Sequence, residues 1–212
     1  MKIKWLGHSC FLLTSSSGVR ILTDPFDESV GYKVPAVEAD IVTTSHNHSD
    51  HNHVQVVKGN FKHLNSPGHF VEKNIEITGV ATYHDKEQGI KRGSNVAFIY
   101  SIDGLKICHL GDLGHILTNQ QINEIGEIDI VLIPIGGTYT IDYREATKVV
   151  SLLNPKLVIP MHFKTPVINF PIDSVDKFLA NIGSADSVGS QEIELNPDKL
   201  NLLAKVIILD YE

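Results

Sequence analysis

The sequence predicts an α/β sandwich, two mixed sheets packed face to face with helices outside. Three observations point there. Short strand-like runs crowd the first half, and strand-like and helix-like runs alternate in the second. No linker, low-complexity tract or charge block divides the two. At roughly 150 residues per domain, the chain of 212 residues reads as one domain, 1–212.

The first half opens with a meander. Ile3–Leu6, Phe11–Thr14 and Val19–Thr23 are strand-like, with a Ser-Ser-Ser-Gly turn at 15–18. Further extended runs are Ala39–Thr44, His63–Ser66, Ile75–Tyr83, Asn95–Ile102 and Leu105–Leu110, the last two joined by an Asp103-Gly104 hairpin turn. Asn119–Ile125 has the look of a short helix closed by Gly126. Asp129–Ile135 is continuously apolar, as in a strand buried on both faces. Tyr143–Leu153 places Ala146, Val149, Val150 and Leu153 at helical spacing and stops before Pro155. Leu157–Met161 is a strand, Ser174–Ile182 a helix and Lys205–Leu209 a last strand. Each strand-rich half is thus expected to carry helices after it.

Composition narrows the function. With 42% apolar and 20% charged residues, the chain is an ordinary globular one. It carries 18 basic against 25 acidic residues, net −7, the wrong sign for a phosphate footprint, so no nucleic-acid partner is expected. Two cysteines exclude a disulfide scaffold, and Cys10 and Cys108 read as small buried hydrophobes. The apolar stretch after Lys4 is broken by Gly7, His8 and Ser9, too soon for a signal segment. No apolar run is long enough to span a membrane. A cytoplasmic protein is the expectation. No glycine-rich phosphate loop occurs, so no nucleotide cofactor is expected.

The unusual count is eleven histidines. His46, His48, His51 and His53 fall within eight residues, in a segment that reads H-x-H-x-D-H from His46 to His51. Two histidines at i and i+2 on an extended segment point to one side and can grip one ion. Asp50 and His51 follow the turn and can reach a second. Imidazole and carboxylate suit zinc foremost, and manganese or iron also. One loop cannot complete two metal shells. His84, Asp112 and His162 each lie just past an apolar strand, where further ligands are expected.

The order Asp24, His46-x-His48-x-Asp50-His51, His84, Asp112, His162 resembles the five-motif pattern of the metallo-β-lactamase superfamily. Trp5-Leu6-Gly7-His8 and Leu22-Thr23-Asp24-Pro25 resemble the subgroup of the ascorbate-6-phosphate lactonase. The resemblance implies an αββα sandwich holding two divalent transition-metal ions. His46, His48 and His84 would hold one ion and Asp50, His51 and His162 the other, with Asp112 between them. It further implies a hydrolase that uses a metal-bridging hydroxide on a small, anionic substrate, with lactone or ester opening favoured. Phosphodiester cleavage, nuclease action or metal binding without turnover are the alternatives. Gly111-Asp112-Leu113-Gly114 departs from the Gly-Asp-Thr-Gly common in relatives.

Three residues are candidates for the chemistry itself. Asp50 would orient the attacking hydroxide or pass its proton on. Asp24 would support the ligand loop, and His8 would stand near the cleft. Other readings are blander. His53 and His69 are placed on the surface, His69 in a turn after Pro67-Gly68, and His109 is structural. His115 and Tyr139 are possible substrate contacts, Lys164 a solvated lysine, and Asp142 a helix cap with Glu145.

Overall fold

The computed structural model of the protein describes residues 1–183 and 185–211. Fourteen strands and four α-helices follow one another along it. The first nine strands pass without an α-helix: β1 (Lys2–Gly7), β2 (Cys10–Thr14), β3 (Arg20–Thr23), β4 (Ile41–Thr43), β5 (Lys62–Leu64), β6 (Gly68–Glu72), β7 (Ile75–Tyr83), β8 (Ser94–Ile102) and β9 (Leu105–His109). Then come α1 (Asn119–Ile125), β10 (Ile130–Pro134), α2 (Tyr143–Leu153), β11 (Leu157–Met161) and α3 (Val175–Ile182). The chain closes with β12 (Asp186–Ser187), β13 (Glu192–Glu194), α4 (Pro197–Leu200) and β14 (Ile207–Ile208).

Two six-stranded sheets result, in the orders β13-β1-β2-β3-β4-β5 and β11-β10-β9-β8-β7-β6. Both are mixed. In the first, β13 to β3 pair antiparallel and β3, β4 and β5 run parallel. In the second, β6 to β9 pair antiparallel and β9, β10 and β11 run parallel.

Side chains alternate across each strand of the first sheet, as period-2 geometry requires. Phe11, Leu13, Ile21 and Ile41 enter the main core between the sheets. Cys10, Leu22 and Val42 enter a second cluster with Phe26, Val30, Tyr32 and Ile168. That second cluster lies on the sheet's far face. It is covered by connecting segments with two short 3₁₀ turns, Glu28–Val30 and Val54–Val56, and not by the α-helices expected after the first half. The α-helices belong to the second half, where α1 packs on β7, and α2 on β10 and α3. Strand β10 is buried along its whole length.

Local chemistry explains the helix ends. Asp142 accepts backbone N–H bonds from Arg144 and Glu145 at 2.9 Å, while Glu145 accepts from the Asp142 N–H at 3.2 Å, a reciprocal cap. Asn154 ends α2 in the left-handed conformation before Pro155, which cannot continue a helix. The turn at Asp103-Gly104 has positive φ at both residues, the geometry of a tight hairpin. Two expectations fail here. His69 lies on strand β6 and not in a turn, although it is exposed. The last strand is only two residues long and pairs with β12.

Strand direction decides where the loops gather. Since β2 reverses between β1 and β3, the strands β1, β3 and β4 run one way; β8 likewise separates the co-directional β7 and β9, which continue as β10 and β11. The residues after the C-terminal ends of these strands include His8, Asp24, the 44–51 loop, His84, Asp112 and His162.

Candidate metal centre

The ligand loop is pinned from three sides. Asp24 Oδ1 accepts from the Ser45 N–H and Oδ2 from the Ser45 hydroxyl, both at 2.7 Å. The Val96 N–H on β8 donates to the Ser45 carbonyl at 2.8 Å, and the His53 N–H to the Pro25 carbonyl at 2.7 Å. Inside the loop, the His51 and Asn52 N–H groups both donate to the His48 carbonyl. That turn folds His51 back beneath His48.

Three groups of donor atoms form, with the atoms of each within 4.8 Å of one another: His46, His48 and His84; His8, Asp50, His51 and His162; and His46, His51 and Asp112. All seven residues expected as ligands are therefore brought together, and His8 joins the second group. Asp24 stands behind that group. Its Oδ2 accepts from His51 Nδ1 at 2.8 Å, which leaves Nε2 aimed at the other donors, the arrangement that orients a metal-binding imidazole. Since the Ser45 hydroxyl donates to Asp24, His46 Nδ1–H donates to Ser45 Oγ at 3.0 Å. His46 Nε2 is thereby freed in the same way.

The spacing of the inward atoms fits a shared ion. Two nitrogens on one tetrahedral zinc, each ~2.0–2.1 Å from it, stand about 3.3 Å apart. Here His84 Nε2 lies 3.3 Å and His162 Nε2 3.4 Å from Asp112 Oδ2, and His51 Nε2 lies 3.2 Å from Asp112 Oδ1. His8 Nε2 is 3.4 Å from Asp50 Oδ2, and His46 Nε2 2.9 Å from His48 Nδ1. Among the described residues, His51 Nε2, Asp112 Oδ1 and both ring nitrogens of His8 are buried with no hydrogen-bond partner. Buried polar atoms without partners are costly, and a cation at their convergence removes the cost.

Electrostatics agree with that reading. Burial opposes ionisation of Asp112, Asp50 and Asp24, yet the surrounding histidines prevail and hold all three below the ordinary carboxylate range. Burial, and for His8 the neighbouring His162, brings His8 down to about 4; burial and the charge of His51 bring His46 to about 3. Both are thus neutral with a lone pair to offer, as a metal requires. His51 is the exception. Burial alone would lower its pKa, but Asp112, Asp50 and Asp24 together raise it well above the ordinary histidine value. A proton held by three converging carboxylates occupies a place suited to a metal cation.

Glycines make the close approach possible. A Cβ on Gly111 would fall 2.4 Å from Ser45 Cβ, and one on Gly114 would fall 2.3 Å from the His84 carbonyl carbon. Leu113 between them is fully buried in the main core. The Trp5 indole N–H and the His162 N–H both donate to the His8 carbonyl, at 3.0 and 3.2 Å. The tryptophan of the Trp-Leu-Gly-His run therefore fixes His8 against His162, their rings 4.1 Å apart.

Above the donors is a cleft of about 230 Å³ with His48, Asp50, His84 and Asp112 at its floor and Arg92, Tyr139 and Phe170 along its walls. A larger depression of about 530 Å³, lined by Gly104, Lys106, Asp129 and Lys156 among others, contains none of the histidines; Lys106 and Asp129 mark the opposite ends of the strands, so the smaller cleft is the one tied to chemistry. Tyr139 lies at the cleft as expected. His115 does not line it: its Nε2 accepts from the Tyr83 N–H at 3.2 Å and its Nδ1 bonds the Ile116 carbonyl at 2.8 Å. Lys164 is not a solvated lysine, since it is half-buried and donates to the Ile168 and Phe170 carbonyls. His109 is structural, bonding the Ser9 carbonyl through Nε2 at 2.8 Å and accepting from the Gly111 N–H at 3.1 Å.

Sequence reasoning missed Asn95, Asp85 and Arg92. Asn95 Oδ1 accepts from the Asp112 N–H at 2.9 Å while its Nδ2 donates to the Leu110 carbonyl, so one side chain sets both ends of the Leu110-Gly111-Asp112 turn. No motif marks it, because the bond is made across strands.

The profile of the beta-lactamase superfamily domain matches residues 2–162. A UPF0173 metal-dependent hydrolase of Archaeoglobus fulgidus is 33% identical over 207 residues, covering 83% of this chain and 87% of that protein. One from Thermococcus onnurineus is 32% identical, covering 78% and 85%. Among solved structures, a candidate Zn-dependent hydrolase of the metallo-β-lactamase superfamily from Thermotoga maritima is 44% identical. It superposes with a TM-score of 0.84 over 100% of this chain and 99% of that one. Fold, donor geometry and likeness agree, and the chain belongs to the metallo-β-lactamase superfamily, among its metal-dependent hydrolases.

Proposed function

We propose that residues 1–212 act as one metallo-hydrolase domain that opens a small, anionic lactone or ester in the cytoplasm, with two divalent ions, zinc foremost. One observation carries the reading: the Nε2 atoms of His51, His84 and His162 converge at 3.2, 3.3 and 3.4 Å on the two oxygens of Asp112, and His51 Nε2 and Asp112 Oδ1 are buried there with no hydrogen-bond partner. His46, His48 and His84 would hold one ion. Asp50, His51, His162 and His8 would hold the other, and Asp112 would serve both. Ions held there would bring the pKa of water towards neutrality and would polarise the scissile oxygen.

The remaining work falls to the chain. Asp50, half-buried beside the cleft, orients the attacking water, takes its proton and hands it to the leaving group. Asp24 keeps the His51 proton on Nδ1 and so keeps Nε2 free. The preference for lactones and esters rests on the likeness of Trp5-Leu6-Gly7-His8 and Leu22-Thr23-Asp24-Pro25 to the ascorbate-6-phosphate lactonase subgroup. The cleft of about 230 Å³ shares His84, Arg92 and Tyr139 with a neighbouring depression of about 320 Å³, and together they are of a size suited to a small molecule. The test is a panel of lactones, esters and phosphodiesters assayed with metal-loaded protein. Turnover of lactones or esters that vanishes with a chelator is the expected result. Cleavage of phosphodiesters alone would overturn the substrate assignment, and no turnover at all would overturn the hydrolase reading.

A further inference from the structure

The geometry points to Arg92 as the residue that selects substrate, gripping an oxyanion group, carboxylate or phosphate, whose neighbouring flat or apolar part lies along Phe170 and Tyr139. This rests on the hydrolase reading above for the location of the reacting bond, but its own ground is the loop that follows His84.

That loop is built around one buried carboxylate. Asp85 Oδ1 accepts from the N–H groups of Glu87 and Gly89 at 2.7 and 2.9 Å, and Oδ2 from those of Lys91 and Arg92 at 2.9 and 2.8 Å. The His84 N–H donates to the Gly93 carbonyl at 3.1 Å and closes the base. Arg92 is therefore set in fixed relation to His84, one of the inner donors.

Charge singles out Arg92 among its neighbours. Lys86 pairs with Glu145 at 2.6 Å, Lys91 pairs with Glu87, and Lys164 is spent on the Ile168 and Phe170 carbonyls. Arg92 makes no ion pair among the described residues. Its guanidinium instead stands 5.0 Å from the centre of the Tyr139 ring, within the range of a cation–π contact. It is half-buried and lines the cleft with His48, Asp50 and Asp112. A half-buried cation resting on an aromatic face, with its donors unspent, is suited to a planar oxyanion, which a guanidinium fork can bind through two parallel bonds.

The aromatic wall continues across the cleft. Phe170 meets Tyr139 edge-on at 6.1 Å and the His8 ring at 5.8 Å. The succession His8, Phe170, Tyr139, Arg92 runs from the second donor group to the guanidinium. A substrate with its reacting bond over Asp112 and an oxyanion at Arg92 has this wall alongside it.

Calorimetric titration of the metal-loaded full chain with benzoate, phenyl phosphate and the neutral isostere benzamide tests the assignment, with metal content measured on every sample. Wild type is expected to bind at least one of the anions more tightly than benzamide. Arg92→Met, which keeps the stem and removes the charge, is expected to weaken that anion by about tenfold or more and leave benzamide and metal content unchanged. Arg92→Lys is expected to fall between, because it restores charge without the fork. The anion that loses more in Arg92→Met identifies carboxylate or phosphate as the natural group. The assignment is overturned if no anion binds wild type, or if Arg92→Met binds the anions as wild type does, which would place them on the ions alone. The hydrolase reading stands or falls separately: a protein that turns over lactones yet titrates identically in wild type and Arg92→Met refutes only the role of Arg92. One that loses anion affinity in Arg92→Met but hydrolyses nothing refutes only the hydrolase.

Discussion

The two donor groups around Asp112 differ in make-up and in depth: the first is three histidines, and the second adds the carboxylate of Asp50 to three histidines. His8, His51 and His162 of the second group are fully buried, and only Asp50 is half-exposed. In the first group the His46 and His84 side chains are buried, each 3% exposed, and His48 is exposed. The second group also has Asp24 behind it and the Trp5–His8 bond beside it, whereas the first has Ser45 alone behind His46. Depth and support favour the second group as the tighter site. The first, open to the cleft, is the better placed to exchange ligands.

The largest expected effect strikes both groups at once. Asp112→Ala should remove metal from both sites. Turnover should fall by more than the roughly 10–100-fold that loss of a supporting residue costs. Metal content and hydrolysis measured together check this; retention of two ions would remove Asp112 from the centre of the account.

The next contrast sets the groups against each other without metal. His51→Ala deprives Asp24, Asp50 and Asp112 of their shared proton and breaks a buried pair, which costs roughly 3–5 kcal/mol. His48→Ala on the rim should stay within about 0.5 kcal/mol. Denaturant unfolding of the metal-free variants reads the difference, and equal losses would erase the distinction in depth.

His8→Ala removes a donor of the second group only. It should lower second-site affinity by at least about 10–100-fold while leaving the first site near its wild-type affinity. Asp24→Ala, which releases both His51 and the Ser45 that orients His46, should weaken both sites, the second by about 10–100-fold and the first by less. Competition with a chelator of known affinity resolves the two sites. A smaller effect concerns the loop after His84. Burial raises the Asp85 carboxyl, but backbone N–H bonds from Arg92, Glu87, Gly89 and Lys91 outweigh it and bring it down to about 2 from an ordinary 3.8. A lowered folded value stabilises fully above the ordinary one. The contribution of Asp85 should therefore be intact above about pH 4 and fade as pH falls through about 2, and Asp85→Asn should flatten that part of the stability profile. His69→Ala should change neither metal content nor activity, since His69 is exposed on β6. Loss of metal in that variant with retention in His84→Ala would move the third motif to the other histidine.

What the sequence made legible follows the same division. The His46–His51 loop, His84, Asp112 and His162 each follow an apolar run, so strand ends and chemistry are marked together by local pattern. The helices Asn119–Ile125 and Tyr143–Leu153 were equally legible, because their caps and apolar spacing lie within the elements themselves. Strand β6 was not, since it sits at a sheet edge with no apolar alternation. Nor was β13, three residues that complete the first sheet from the far end of the chain. Asn95, Asp85 and Arg92 escaped for a related reason. Their roles depend on backbone groups or ring faces brought close by folding, and an Asp that collects four N–H bonds looks in sequence like any loop aspartate. His8 was legible as a residue near the cleft, but its place among the second donors depends on a carbonyl shared by Trp5 and His162.

Metal content of the intact wild-type protein, measured after saturation with zinc and removal of the excess, tests the central claim most directly. Two donor groups sharing Asp112 predict two ions per chain. At most one ion per chain at saturation would contradict the account.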